Sequence, residues 1–288
     1  MKTAILTDSN SGLTQEEAAR RDIFLLPMPV ILDGKEYFEG VNLSHREFYQ
    51  NLRDGADAST SQPSPGEVLA MFDKILDAGY DELVYIPMSS GLSFSCQTAQ
   101  LLSEEYEGRV WVADTHRVSI TLHDCVLNAK ALADQGKSGQ EIRALLEQSA
   151  LDSVIYLGVD TLKYFRKNGR CTAAAAAMSS VIGLKPLLRC DGGAFEACAK
   201  VRGVKNCQQE QLKRAKETAD TLRTRGEPLY IGISDSFIQP EDSQAWAAQV
   251  QEAFPDDLVH YEPLPFSVIC HTGLNAFGMG ISRAAQAT

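Results

Sequence analysis

The sequence contains none of the short motifs that mark the commonest nucleotide-dependent and metal-dependent enzymes. It has no GxxxxGK[ST] phosphate loop, no GxGxxG after a strand and no HExxH. Its five histidines are too widely separated along the chain to predict a metal site, and the serine-rich segment 89–95 lacks the flanking glycines of a GxSxG nucleophile elbow. Motifs therefore predict neither a metal nor a cofactor.

Paired cysteines and long apolar runs are missing as well. The seven cysteines are scattered, odd in number and include no CxxC pair, which argues against a disulfide framework or a zinc site. The longest nearly apolar stretch, 173–188, is interrupted by two serines, a lysine and a proline, so no membrane span is predicted. The chain meets Asp8 after a very short apolar stretch, so no signal peptide is predicted. We expect a cytoplasmic protein without stable membrane insertion.

Basic side chains are in deficit. The chain has 27 lysines and arginines against 38 acidic residues, which gives a formal net charge of −11. An acidic surface repels the phosphates of nucleic acids and of anionic membranes, so neither is an expected partner. Hydrophobic residues make up 44% of the 288 residues, which excludes a disordered, collagen-like or coiled-coil chain. This length allows a sizeable core and favours two domains.

Short apolar runs that lead into polar loops and helix signals dominate the first half. Residues 4–6, 83–86 and 110–113 are such runs, and each precedes a hydroxyl- or acid-containing loop. This alternation is typical of βα units around a parallel sheet. We therefore predict that residues 1–150 form an α/β/α domain with a parallel sheet.

The second half has a different pattern. An alanine-rich helix is predicted over 172–182 because alanine has the highest helix propensity, and a hairpin over 184–201 turns at 191–193. The other predicted elements are helices over 161–167, 208–224 and 243–254 and strands over 154–159, 229–233 and 258–261. We predict that residues 151–288 form an α+β domain with a mixed sheet, so that the chain is a two-domain α/β protein.

Hydroxyl-rich loops at the ends of strands are the candidate binding sites. The segments 59–64 and 89–93 each precede a predicted helix. Free N–H groups and the helix dipole make such loops natural anion sites, and in an open α/β sheet they gather at the carboxyl edge of the strands. Serine and threonine in these positions are also ordinary helix caps. For Thr60, Ser61 and Ser93, composition leaves both roles open.

Taken in order along the chain, several short segments resemble the DegV family of bacterial fatty-acid-binding proteins. They are LTDS at 6–9, TSQPS at 60–64, SSGLS at 89–93, DT at 114–115, LKYFRKNGR at 162–170, LKPLL at 184–188, DG at 191–192, KVR at 200–202 and HTG at 271–273. Each segment is short, but the ordered series is specific and covers the whole chain.

The resemblance implies that a long-chain fatty acid, such as palmitate, stearate or oleate, lies between two α/β domains. It also implies a fatty acid kinase as partner, which uses ATP to phosphorylate the acyl carboxylate for phospholipid synthesis. The chain itself would then be no enzyme and would carry no cofactor besides the fatty acid. By the same resemblance, Thr60, Ser61 and Ser93 would bind the carboxylate. His271 would join that polar network, and Arg170 would lie near the carboxylate, where the kinase approaches.

Two other functions remain open at the level of sequence. A serine hydrolase would use Ser93 or Ser90 as nucleophile with His271 and Asp8. A small-carbonyl-binding protein would use His271, as implied by a distant likeness to the substrate domain of dihydroxyacetone kinases. A lone histidine is more often structural, and an arginine after a glycine, as in Gly169-Arg170, commonly follows a helix end.

Overall fold

The computed structural model describes residues 1–177, 184–226 and 228–285. Within these ranges the chain alternates strands and helices throughout. The strands are β1 (Thr3–Asp8), β2 (Ile23–Leu26), β3 (Pro29–Leu32), β4 (Lys35–Phe38), β5 (Ala58–Thr60), β6 (Glu82–Ile86), β7 (Val110–Val112), β8 (Ser153–Gly158), β9 (Leu184–Cys190), β10 (Glu196–Arg202), β11 (Leu229–Asp235), β12 (Val259–Pro263) and β13 (Phe277–Arg283).

The helices connect these strands and cover the sheets that they form. They are α1 (Gln15–Arg20), α2 (His45–Arg53), α3 (Pro65–Asp77), α4 (Ser95–Ser103), α5 (Ile120–Asp134), α6 (Gly139–Gln148), α7 (Lys163–Asn168), α8 (Ala173–Ala176), α9 (Val204–Arg223), α10 (Pro240–Ala253) and α11 (Phe266–Thr272). The helix predicted over 172–182 corresponds to α8, and its part from residue 178 lies outside the described residues. No helix in the described ranges is both long and apolar enough to cross a bilayer.

A four-stranded parallel sheet in the order β2-β1-β6-β7 confirms the sheet predicted for the first half. Helices α5 and α6 pack on one face, and α3 and α4 pack on the other. Because both faces are covered, β6 is buried at every position and β1 at all but its first, so neither strand shows alternating polarity.

A six-stranded mixed sheet in the order β10-β9-β8-β13-β11-β12 confirms the sheet predicted for the second half. The predicted hairpin is β9–β10, and the β11–β12 pair is parallel while the other pairs are antiparallel. Helices α9 and α10 pack on one face of this sheet. In the described residues, the strands of the parallel sheet precede residue 150 and those of the mixed sheet follow it. The domain boundary at that point stays a prediction.

A third sheet, which the sequence reading missed, has the antiparallel order β4-β3-β5. Its hairpin turns at Asp33-Gly34, where both residues have positive φ (49° and 79°). This is the backbone that a tight two-residue hairpin requires and that Asp-Gly favours. Helices α2 and α11 and the inner face of the mixed sheet pack around this small sheet, which therefore holds Thr60, at the end of β5, against the second half.

Candidate ligand-binding cavity

A cavity of about 210 Å³ lies between the two halves. An enclosed water needs roughly 10–15 Å³ by the same measure, so the cavity has room for more than a dozen water-sized spheres. Its walls are mostly apolar and come from both halves. The apolar lining residues are Met28, Met88, Leu92, Phe94, Val118, Ile120, Ile155, Leu157, Phe165, Phe195, Leu264, Val268 and Met279.

The five residues named as site candidates from the sequence all line this cavity: Thr60, Ser61, Ser93, Arg170 and His271. Thr60 Oγ1 lies 3.0 Å from Nε2 of His271, although the two residues are 211 positions apart in the chain. Helix α11 carries His271 in its last turn and is followed by Gly273 as its C-cap, where φ is 77°. The helix thus directs an imidazole toward the end of β5.

Arg170 connects the candidates across the cavity. It follows Gly169, which ends α7 in the left-handed conformation (φ 69°) as the sequence indicates. Its Nε donates to Leu92 O at 3.1 Å and its Nη1 donates to Asn168 O at 2.6 Å. Asn168 Nδ2 in turn donates to Cys270 O at 2.9 Å. The guanidinium therefore joins the loop of Ser93 to the helix end that carries the imidazole.

The two serines occupy different positions at this end of the cavity. Ser93 is half-buried, and its Oγ accepts a hydrogen bond from Ser95 N at 3.2 Å, so its own proton remains available for donation. Ser61 is exposed and donates to Gln62 O at 2.9 Å. Phe94 also lines the cavity and is 77% exposed. The polar end of the cavity therefore opens to the surface.

The electrostatic environment at this end is simple. Arg170 is the one charged side chain among the described residues that line the cavity, because His271 is neutral at pH 7. Burial, with a smaller contribution from the neighbouring Arg170, lowers the pKa of His271 to about 4. A single positive charge surrounded by hydroxyl groups can accommodate one singly charged anion.

The geometry does not form the triad of a serine hydrolase. In the described structure His271 Nε2 contacts Thr60, and Nδ1 has no hydrogen-bond partner. Asp8, the proposed acid of the triad, is buried and accepts hydrogen bonds from Asn10 N and Nδ2 and from Met88 N. Burial raises the pKa of Asp8 to about 6. No hydrogen bond links serine, imidazole and carboxylate here in the order that such catalysis needs.

Other polar residues of the cavity wall were not identified from the sequence. Ser267 Oγ donates to Asn10 Oδ1 at 2.6 Å, and Ser119 Oγ lies 3.4 Å from Ser234 Oγ. In each pair, the two side chains hydrogen-bond to each other across the two halves. They therefore close the cavity wall, and neither pair leaves a strong donor without a partner. Each pair is more than 110 positions apart, and no local spacing could have indicated it.

Comparison with known proteins identifies the family. Residues 2–284 match the family model described as "Uncharacterised protein, DegV family". The chain belongs to the DegV family. A DegV domain-containing protein of Deinococcus radiodurans is 34% identical over 286 residues, which cover 98% of each chain. This confirms the resemblance read from the ordered segments.

Solved DegV structures share the whole fold. A fatty-acid-binding DegV family protein of Thermus thermophilus aligns with a TM-score of 0.86 and 28% identity, over 98% of this chain and 100% of its own. A fatty-acid-binding DegV family protein of Streptococcus agalactiae aligns with a TM-score of 0.85 and 25% identity, over 98% and 99%. The fold described above is therefore shared with these two solved DegV proteins.

The neutrality of His271 can be measured. In the ligand-free protein its imidazole should titrate at about pH 4, and Arg170→Ala should raise that pKa because a nearby positive charge is removed. The unfolded chain binds this proton near pH 6.5, so the contribution of His271 to the free energy of unfolding should decrease as the pH falls from about 6.5 toward 4. Histidine-labelled NMR, with His271→Asn to assign the signal, measures the pKa. A pKa at or above 6.5 would contradict the burial argument.

Proposed function

We propose that this DegV protein is a cytoplasmic carrier that binds one long-chain fatty acid in the cavity and presents its carboxylate to a fatty acid kinase. The observation that carries the proposal is the distribution of polarity in the cavity: apolar walls lead to an opening lined by hydroxyls, a neutral imidazole and one guanidinium. The fatty-acid-binding neighbours of the same fold support it. The kinase would then form the acyl phosphate used in phospholipid synthesis.

The apolar walls account for the acyl tail. Burial of a methylene contributes ~0.8 kcal/mol, so a long chain gains roughly 10 kcal/mol before ordering costs are subtracted. Ile155 and Leu157 on the inner face of the mixed sheet and Val118 before α5 offer such a surface from both halves. A ligand held in this way contacts both halves and leaves slowly.

The polar end accounts for the head group. A carboxylate is costly to bury unless several donors compensate for its lost hydration. If Nε2–H of neutral His271 donates to Thr60 Oγ1, the hydroxyl proton of Thr60 is free to donate to the carboxylate, and Ser93 offers a second hydroxyl proton. Hydroxyl donors withdraw less charge than a ring of arginines, so the carboxylate stays nucleophilic enough for phosphorylation.

The kinase partner is the one that the family resemblance implies, and the opening of the site is compatible with it. Hydroxyls, an imidazole and a guanidinium can hold a carboxylate, but phosphorylation also requires ATP, which the proposed partner supplies. Ser61 and Phe94 place the polar end at the surface, where a second protein can reach the head group. Arg170 lies at the same end, and its planar fork suits both carboxylate and phosphate oxygens.

The carboxylate site is tested by the hydroxyl of Thr60. Thr60→Val keeps the shape of the side chain but removes the donor, and it should weaken fatty acid binding about tenfold, and up to roughly a hundredfold if the charged acceptor is left unpaired. Thr60→Ser keeps the hydroxyl and should bind within about threefold of the native protein. Competition against a fluorescent fatty acid measures both. Equal affinities for Thr60→Val and the native protein would place the carboxylate elsewhere.

The handover to the kinase is tested separately by Arg170. Arg170→Ala should keep its bound fatty acid, because the tail supplies most of the affinity, but should lose most acyl phosphate formation with a cognate kinase. Arg170→Lys keeps the charge without the planar fork and should be intermediate. Lipid content by mass spectrometry and ATP-dependent acyl phosphate production are measured on the same preparations. Full acyl phosphate formation by a lipid-loaded Arg170→Ala protein would refute the role.

A further inference from the structure

A second group of chemistry-bearing side chains lies outside the cavity, where α1, α5 and β12 meet. Glu17, His123 and Glu262 each place one donor atom so that all three atoms lie within 4.8 Å of one another. Two of these residues belong to the first half of the chain and the third to the mixed sheet. The proposed fatty acid site involves none of the three.

His123 is the central side chain of this group. It is 2% exposed, yet its Nδ1 has no hydrogen-bond partner in the described structure. Its Nε2 faces Glu262 Oε1 at 3.8 Å, which is too long for a hydrogen bond. Burial lowers the pKa of His123. A buried imidazole nitrogen without a hydrogen-bond partner is costly, and here it lies on the ring whose other nitrogen faces a carboxylate.

The two carboxylates of Glu17 and Glu262 lie beside this imidazole and repel each other. Burial, followed by the charge of Glu17, raises the pKa of Glu262 to about 7. Arg21 pairs with Glu17 through a single oxygen, Oε1, at 3.0 Å, and the arginine side chain is 47% exposed. The other carboxylate oxygen of Glu17 takes no part in that pair, and the arginine has room to turn toward solvent.

The remaining charged groups that face His123 form a pair of their own. His260 on β12 lies next to His123, with ring centroids 6.3 Å apart, and its Nε2 lies 2.8 Å from Asp124 Oδ1. Because a carboxylate oxygen of Asp124 already lies against this nitrogen, the donor set is taken as the first three residues.

We propose that Glu17, His123 and Glu262 bind one divalent transition-metal ion of the zinc type. One imidazole nitrogen and two carboxylate oxygens are donors that Zn²⁺ accepts, with a fourth position left for water. Donor atoms around one tetrahedral ion stand about 3.4 Å apart, so shifts of roughly an ångström in the side chains would close the group on the metal. Ca²⁺ and Mg²⁺ prefer oxygen donors alone and fit less well.

An ion at this position would fasten the two halves of the protein together. It would tie α1 and α5 to β12, and the carbonyl of Glu262 already accepts a hydrogen bond from Ser234 Oγ at 2.7 Å. Ser234 also lines the cavity. Metal binding should therefore raise the stability of the native arrangement in proportion to free metal, by mass action.

The experiment uses the chelator-treated full-length protein, titrated with Zn²⁺ by calorimetry and with Co²⁺ by visible absorption. We expect one ion per chain, a melting temperature that rises with metal concentration, and a Co²⁺ spectrum of nitrogen and oxygen ligands. Glu17→Gln and Glu262→Gln should each weaken Zn²⁺ binding at least tenfold. Glu16→Gln is the matched control, because Glu16 lies on the same helix, exposed and paired with Arg20, and it should bind Zn²⁺ as the native protein does.

Two further outcomes decide between this site and others. Arg21→Gln should tighten Zn²⁺ binding, because it removes a positive charge beside Glu17. A thiolate-to-cobalt absorption band would instead place the metal on cysteines, whose pKa values are all raised by burial. That band, the absence of saturable binding, or native affinity in both Glu17→Gln and Glu262→Gln would overturn the proposal.

Discussion

Two glycines of the mixed sheet allow helix α5 to pack closely between the two sheets, and the position of the cavity depends on this contact. Gly232 on β11 and Gly280 on β13 face Ile120, the first residue of α5, and a Cβ atom on Gly280 would lie 2.6 Å from its side chain. The opposite side of the helix packs against β1 of the parallel sheet. The close approach therefore sets the separation of the two sheets.

The backbone before α5 is shaped by the same contact. Ser119 has φ 54°, a conformation that a serine rarely adopts, and its N–H donates to Asn10 O at 2.8 Å. The helix can begin here, deep between the sheets, because the first half supplies that acceptor. Ile120, together with Ile155 and Leu157 on the inner face of the mixed sheet, lines the cavity. The contact that joins α5 to the mixed sheet therefore also borders the binding site.

The parts of the fold that the sequence predicts are those with local signals. Buried runs such as residues 83–86 and the capping box of Ser64 with Glu67 indicate strands and helix starts within a few residues, and the structure has them. Strand β13 was missed because its glycines, Gly278 and Gly280, interrupt the apolar pattern, yet it is central in the mixed sheet. Those glycines are needed for packing between elements, which strand propensity does not describe.

The candidate site was predictable only in part, for the same reason. The hydroxyl loops and the helix-end arginine could be found as segments, since their residue types suit anions. That Thr60 meets His271 is a result of the third sheet, which carries the threonine to α11. Likewise His123 and Glu262 come together across the two halves, and no spacing along the chain indicates their contact.

We propose that the cavity encloses an acyl chain, and the contents of the cavity can be measured directly. Protein purified from bacteria without detergent should be denatured and extracted, and the lipids quantified by mass spectrometry against the protein. We expect close to one long-chain fatty acid per chain, because a tail buried from both halves dissociates slowly. Protein that yields no fatty acid, and that after purification binds neither added palmitate nor oleate, would contradict the proposal.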